Sequence, residues 1–98
     1  DVVKDYMLDI VEATRNSELI DTGVSPRGTL AFMRVAQAKA FVEGRDFVIP
    51  EDVKDMAPYV LAHRLVLSME GEMRKSKPQM LNELINEIEV PVESGAVQ

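Results

Sequence analysis

Cysteine is absent from this chain of 98 residues, and aromatic residues are few: two tyrosines, three phenylalanines and no tryptophan. The absence of cysteine excludes disulfide bonds and thiolate metal sites. The scarcity of aromatic rings means that a core must be built mainly from Val, Leu, Ile, Met and Ala side chains. No apolar run approaches the roughly 18 residues that a membrane-spanning helix needs, and no signal peptide is visible. We therefore expect a cytoplasmic protein without membrane insertion.

Motifs that carry out catalysis are missing as well. The sequence contains no G-x-x-x-x-G-K-[ST] loop that could hold the phosphates of a nucleotide. The single histidine, His63, lacks the companion ligands of a metal site, so we interpret it as a structural residue near a helix end. The adjacent acids Glu51 and Asp52 are explained by the start of a helix, where negative charge is favourable. We expect no catalytic activity from this chain alone.

Positive charge is also limited, since the formal net charge is −6 at pH 7. Nucleic-acid surfaces rely on clustered Lys and Arg side chains, and we predict no such surface here. The basic cluster at Arg74, Lys75 and Lys77 is interpreted as a solvated loop. A length of 98 residues, 46% of them hydrophobic, suits one small domain. Because the sequence begins with Asp1, we expect that domain to come from a longer polypeptide.

The spacing of apolar residues predicts an all-α fold, a small bundle of four helices. The first helix spans roughly Val2–Arg15, and the second spans Pro26–Glu43. The third begins at Pro50, and the fourth follows Lys77-Pro78 and ends near Glu89. The expected buried faces of the first two helices are Val3, Tyr6, Met7, Ile10, Val11 and Thr14 in one and Leu30, Met33, Ala36, Ala40 and Phe41 in the other.

Several residues at the ends and in the interior of these helices have strong backbone preferences. Gly44 closes the second helix, because glycine adopts the left-handed conformation at little cost. Ile49 precedes the third helix and cannot cap it with its side chain. Pro58 lies inside the third helix, removes a backbone donor and predicts a kink or break. The sequence also suggests a short two-stranded sheet, in which the extended segment Phe47–Ile49 pairs with Leu65–Leu67.

The segment Gly23–Gly28 aims one cation at the start of the second helix. Ser25 is a suitable N-cap, and Pro26 suits the first helical position because no N–H is needed there. Arg27 then lies in the first turn, beside a partial positive charge that does not favour it. Its planar guanidinium suits phosphate oxygens, so an external anion is one explanation of this arrangement. A solvated arginine on a capped helix is the other.

The run from Gly23 to Ser68 resembles the C-terminal lid of MoxR-type AAA+ ATPases. Three motifs carry the resemblance, in the order that the family has them. They are G-x-S-P-R-G/A at Gly23–Gly28, G-R-D-x-V-x-P-E-D-V at Gly44–Val53, and H-R-L at His63–Leu65. With looser flanks the resemblance covers roughly residues 1–90, which we expect to form the lid domain. Residues 91–98 are expected to form a disordered tail.

The resemblance implies a function that is shared with another domain. In AAA+ proteins a larger α/β core carries the P-loop and binds ATP with Mg²⁺, while the helical lid folds over the nucleotide. The lid contributes an arginine, called sensor 2, to the γ-phosphate. Arg27 stands at the matching position, and Ser25, Pro26 and Gly28 are the residues expected to position it. Gly28 has helix packing as a second explanation.

The resemblance also implies partners. MoxR-type proteins assemble into rings, commonly hexamers, so the lid is expected to contact the α/β core of its own polypeptide and neighbouring subunits. The family acts in a chaperone-like way on other protein complexes, often with a partner that carries a von Willebrand factor A domain.

Two other functions remain open from the residues alone. The chain could be a free-standing acidic helical adaptor that binds a partner helix in a groove lined by Met7, Met33 and Met56, although methionines at helical spacing more often belong to a core. A winged-helix-like DNA binder with the third helix as reader is a further alternative, which the charge of −6 disfavours. Arg64 is either structural or reaches an adjacent domain.

Overall fold

A computed structural model describes residues 1–91 of the chain, and this part is mostly helical, as predicted. Within it there are five α-helices, a 3-10 helix and a two-stranded sheet. The elements are α1 Val2–Asn16, β1 Ile20–Thr22, α2 Pro26–Val42, α3 Pro50–Leu61, the 3-10 helix Ala62–Arg64, β2 Val66–Leu67, α4 Met69–Arg74 and α5 Lys77–Asn86. No helix in this part combines the length and apolar character needed to cross a membrane. The tail expected at 91–98 lies outside the described residues, apart from Pro91.

The two-stranded sheet has a different first strand from the one the sequence suggested. β1 runs antiparallel to β2, with Ile20 opposite Leu67 and Thr22 opposite Val66. The predicted pairing of Phe47–Ile49 with Leu65–Leu67 is therefore wrong in its first partner. Phe47–Ile49 does not pair as a strand because the Ile49 N–H donates to the Asp52 carboxylate at 3.0 Å, so this amide is not available to a neighbouring strand.

The helix α4 was not predicted, so the bundle has five helices where the sequence indicated four. Its six residues are too few to present an apolar stripe, and both of its methionines are 81% exposed. Ser68 caps it by accepting a hydrogen bond from the Gly71 N–H at 3.0 Å. A Cβ at position 71 would overlap the carbonyl oxygen of Leu19, so this glycine lets α4 lie directly on the chain before β1.

The basic cluster expected to be a solvated loop is instead partly paired with acids. Arg74 ends α4 and forms an exposed ion pair with Glu70 at 2.7 Å. Lys75 pairs with Glu83 of α5. These pairs use cations that a nucleic-acid surface would need free.

The helices α2 and α3 pack closely because α2 presents small residues to its neighbour. The buried face of α2 follows a four-residue spacing, Gly28, Phe32, Ala36 and Ala40. The predicted face was partly wrong, because Leu30 is 46% exposed and Phe41 is 79% exposed, while Phe32 is fully buried. Small side chains let two helix backbones approach closely. The side of α2 that carries glycine and alanine is therefore the side that packs against α3.

The predicted buried face of α1 agrees with the structure. All six residues expected to be buried in α1 are buried. α3 continues through Pro58, so of the kink or break predicted there the break is wrong. The α3 residues Val53, Ala57 and Leu61 lie on both sides of Pro58 and are fully buried, and their packing holds the helix together where one backbone donor is missing.

A fully buried carboxylate, Asp52, joins the end of α2 to the start of α3. Arg45 reaches both of its oxygens at 2.6 and 2.8 Å, and Lys39 of α2 contacts it at 3.1 Å. Gly44 has a positive φ of 83°, as predicted for a residue that closes α2, and the turn brings Arg45 into place. The guanidinium hydrogen bonds from Arg45 hold the pKa of Asp52 well below its usual range. Arg45 and Asp52 of the second motif thus form, together with Lys39 of α2, an ionic clasp between the two helices.

Asp52→Asn keeps the shape of the side chain and removes the charge at the centre of this clasp. We expect the free energy of unfolding near neutral pH to fall by about 3 kcal/mol, because a buried ion pair loses one partner. Since folding lowers the pKa of Asp52, its stabilisation is present above the ordinary pKa of 3.8 and is lost as the pH falls below that value. The difference between wild type and variant should therefore shrink in acid. Urea denaturation followed by circular dichroism, at neutral pH and in acid, measures both effects.

Asp55→Asn is the matched control for this experiment. Asp55 lies on the same helix and contacts Lys39 at 3.6 Å, but 61% of its side chain is exposed. We expect its loss of stability to stay below about 0.5 kcal/mol. Equal losses in the two variants would contradict the role assigned to the buried carboxylate.

Candidate functional site

The candidate site is the first turn of α2 together with the loop that leads into it. Ser25 is extended and its hydroxyl accepts a hydrogen bond from the Gly28 N–H at 3.1 Å, so the predicted cap is present. Pro26 is the first helical residue. The Thr29 N–H donates to the Ser25 carbonyl at 2.9 Å. Among the described residues these bonds leave the N–H of Arg27 as the free backbone donor of the turn, so the ability to bind an anion lies mainly in the Arg27 side chain.

The loop before Ser25 is fixed to the end of α1 by two hydrogen bonds, and a third, within α1, orients the Thr14 hydroxyl. The buried Thr14 hydroxyl accepts from the Val24 N–H at 3.1 Å and donates to the Val11 carbonyl at 2.6 Å. Arg15 Nε donates to the Val24 carbonyl at 2.9 Å. A Cβ at Gly23 would lie 2.8 Å from the backbone of Thr14 and Arg15, which explains the glycine at this point of the motif.

Sequence reasoning missed the part that Thr14 and Arg15 play in this site. A threonine on the buried face of a helix indicates that its hydroxyl is bonded, because an unpaired buried hydroxyl is costly. Its partner ten residues away could not be read from a helical pattern. Arg15 carried no sequence signal beyond its position at the end of a helix.

Arg27 is exposed, and within residues 1–91 no carboxylate lies within ion-pair distance of it. Arg45 and Lys39 differ from it, since each contacts at least one carboxylate. An arginine held at the start of a rigid helix without a counter-charge can offer its full set of donors to an external anion.

Gly28 lies between two side chains and has little free space above it. A Cβ there would come within 2.9 Å of Val24 Cγ1 and 3.1 Å of Arg64 Cδ. Arg64 is half-buried, and its Nε donates to the Val60 carbonyl at 3.2 Å. The third motif of the sequence therefore meets the first at this point. His63 is exposed in the 3-10 helix that follows α3, which agrees with its predicted place near a helix end.

The chemistry available at this site is the binding of an anion. Within residues 1–91 no group of three or more His, Cys, Asp or Glu side chains could hold a metal ion. The Tyr6 hydroxyl is buried and has no hydrogen-bond partner among the described residues, and burial raises its pKa, but Tyr6 belongs to the core.

The methionine groove of the adaptor alternative is only partly present. Met7 and Met33 line an open groove between α1 and the α2–α3 connection, together with Val3, Phe47 and Val48. Met56 does not line this groove, and Met7 is 5% exposed and belongs to the core. The three methionines therefore do not form one continuous surface for a partner helix.

Thr14→Val removes the hydroxyl that fixes the loop while keeping the shape of the side chain. We expect the free energy of unfolding to fall by about 1–3 kcal/mol, because the Val24 N–H is left buried and unpaired. Urea denaturation followed by circular dichroism measures the loss. Thr29→Val is the matched control, since the Thr29 hydroxyl bonds the Ser25 carbonyl at 3.0 Å in an exposed setting where water can replace it. Similar losses in both variants would show that the buried contact is not what fixes the loop.

Comparison with known proteins places this chain in one family. The AAA lid domain family matches residues 12–88. The protein YeaC of Bacillus subtilis is 38% identical over 99 residues, which cover 100% of this chain and 31% of that protein. The chaperone MoxR1 of Mycobacterium tuberculosis is 35% identical over 97 residues, which cover 89% of this chain and 26% of MoxR1.

A solved structure agrees with the sequence comparisons. The crystal structure of a candidate ATPase from Cytophaga hutchinsonii superposes with a TM-score of 0.83 at 29% identity, covering 94% of this chain and 31% of that one. This chain thus spans less than a third of the length of each of these relatives. The chain belongs to the AAA lid domain family, and its sequence and fold are those of the C-terminal lid of a MoxR-type AAA+ ATPase.

Proposed function

We propose that this lid closes over ATP bound by an α/β core of the same polypeptide and that Arg27 contacts the γ-phosphate as the sensor 2 arginine. The observation that carries the proposal is the exposed guanidinium of Arg27, held at a capped helix start with no carboxylate partner within residues 1–91. A charge-assisted, bidentate contact between guanidinium and phosphate is among the strongest that a side chain makes. Ser25 and Pro26 fix the turn from which Arg27 extends, and Gly28 lets its neighbours pack against that turn.

The residues of this chain fit one part of a nucleotide and not the rest. Arg27 offers donors that suit a terminal phosphate, and the single free N–H of the turn adds little to them. The described residues include no cluster of carboxylates for Mg²⁺, so the metal and the other phosphates would be held by the core. ATP and Mg²⁺ are therefore ligands of the full-length protein, and this chain supplies one contact.

The contact at Arg27 would make the position of the lid depend on the nucleotide. A guanidinium that binds the γ-phosphate of ATP loses that partner when the phosphate leaves. A ligand shifts a conformational equilibrium by the difference in its contact free energy between the two states. ATP would favour the closed lid, and ADP would release it, while the rigid packing of α2 on α3 carries the movement to the rest of the domain.

The biological setting proposed for the full-length protein follows from the family. The name of MoxR1 as a chaperone supports a chaperone-like activity. We place the protein in the cytoplasm, in a ring that is commonly hexameric, where the lid contacts its own core and neighbouring subunits. A protein with a von Willebrand factor A domain is the partner expected for such a ring.

Arg27→Ala in the full-length protein is the direct test. We expect ATP turnover to fall at least about ten-fold, which corresponds to about 1.4 kcal/mol of activation free energy, because the transferred phosphate loses a cationic partner. Circular dichroism should show an unchanged helical content. Arg34→Ala is the matched control, since Arg34 is exposed on the same helix. Unchanged turnover in Arg27→Ala would mean that Arg27 is a surface residue and that the lid acts through packing and assembly alone.

The isolated chain is expected to bind ATP weakly or not at all. One arginine and one backbone N–H give too few contacts to hold a highly charged, well-hydrated ligand. Isothermal titration of residues 1–98 with ATP measures this directly. Saturable binding with a Kd of about 10 μM or lower would contradict the proposal that the core supplies most of the contacts to ATP and the lid supplies one.

A further inference from the structure

The side chain of Arg64 connects two helices at the candidate site. Its Cδ lies 3.1 Å from the position that a Cβ at Gly28 would occupy, so its stem covers the first turn of α2. Its Nε donates to the Val60 carbonyl at 3.2 Å, in the last turn of α3. One side chain therefore contacts the start of α2 and the end of α3 at once.

The orientation of Arg64 is set by these two contacts and not by an ion pair. Within residues 1–91 no carboxylate lies within ion-pair distance of it. It lies just after α3, where a cation is favoured by the partial negative charge of the helix end. Nε is thus held by a hydrogen bond to α3, and Cδ lies against Gly28 of α2. We call the Arg64 side chain a strut, because it connects the two helices in a fixed orientation.

This strut contacts the residue that directly follows Arg27. Any tilt of the first turn of α2 moves the Cα of Arg27 and is amplified along its long side chain. Gly28 permits the contact, since a methyl group there would push Arg64 Cδ and Val24 Cγ1 away. The same turn is held from the other side by Thr14 and Arg15 through Val24.

We propose that Arg64 is a positioning residue for Arg27 and that it acts through Gly28 by fixing the first turn of α2 against the end of α3. This proposal rests on the proposed function, because it assumes that Arg27 contacts the γ-phosphate of ATP. The stem of Arg64 does this positioning, and its charge does not contact the nucleotide. A displacement of about 1 Å at a reacting site can lower a rate by about 100-fold, so even a small tilt is measurable.

Three substitutions of Arg64 in the full-length protein separate the stem from the charge. Arg64→Ala removes the stem, and we expect ATP turnover to fall at least about five-fold. Arg64→Lys and Arg64→Met both keep a heavy atom at the Cδ position, and we expect turnover within about two-fold of wild type. The affinity for ADP should be unchanged in all three, because ADP lacks the γ-phosphate that Arg27 reads. Arg34→Ala is again the matched control on the surface of α2.

A double-mutant cycle tests whether Arg64 acts through Arg27. Arg64→Ala should cause no further loss of turnover in the Arg27→Ala background, because the residue being positioned is gone. Gly28→Ala leaves Arg64 intact and displaces its Cδ by only a few tenths of an ångström, so we expect a smaller loss of turnover than in Arg64→Ala. Thermal unfolding of every variant shows whether the domain is still folded.

Each result either supports or overturns the proposal. Additive losses in the double variant would overturn it, and so would a Met variant as impaired as the Ala variant, since that result would show that the stem of Arg64 alone does not position the turn. Wild-type turnover in Arg64→Ala would overturn this proposal alone, provided that Arg27→Ala is impaired. Wild-type turnover in Arg27→Ala would overturn the proposed function, whatever Arg64 does.

Discussion

The buried carboxylate of Asp52 is the contact on which the arrangement of the two central helices depends. It faces Arg45 and Lys39, and it also binds the backbone N–H of Ile49, so α3 begins with a charged group in place of a side-chain cap. A carboxylate buried without these partners would be strongly unfavourable. The clasp therefore specifies how the chain turns between α2 and α3. Beyond this turn, the small residues of α2 let the two helices lie close together. Arg27 stands at the other end of this antiparallel pair, where it depends on the same packing.

The three motifs of the sequence have separate physical roles that meet in the fold. Gly44–Val53 holds one end of the α2–α3 pair through the ionic clasp. Gly23–Gly28 builds the other end, through the Ser25 cap and the anchoring of the loop on α1. His63–Leu65 returns the chain to that same end, where Arg64 covers Gly28 and Leu65 is buried in the core. Two motifs that lie far apart in the sequence thus form one surface.

The positive charges of the described residues differ in whether they contact a carboxylate. Lys39 and Arg45 are partly buried and contact carboxylates, as cations inside a domain must. Arg27 and Arg64 contact none among residues 1–91, although the chain carries a net charge of −6. Arg27 and Arg64 differ in how their side chains are constrained. The Arg64 side chain contacts both α2 and α3, while the Arg27 side chain is exposed and only the turn that carries it is anchored.

The sequence by itself determined the all-α class, the buried face of α1, the cap and proline that start α2, and the glycine that ends it. These features depend on residues within one or two helical turns, so local spacing is enough to predict them. Tertiary structure alone decided the partner of β2, the side of α2 that faces the core, the six-residue helix α4 and the continuity of α3 through Pro58. It also decided the roles of Thr14, Arg15 and Arg64 around Arg27. Each of these depends on which distant segment lies nearby, and a periodic pattern carries no information about that.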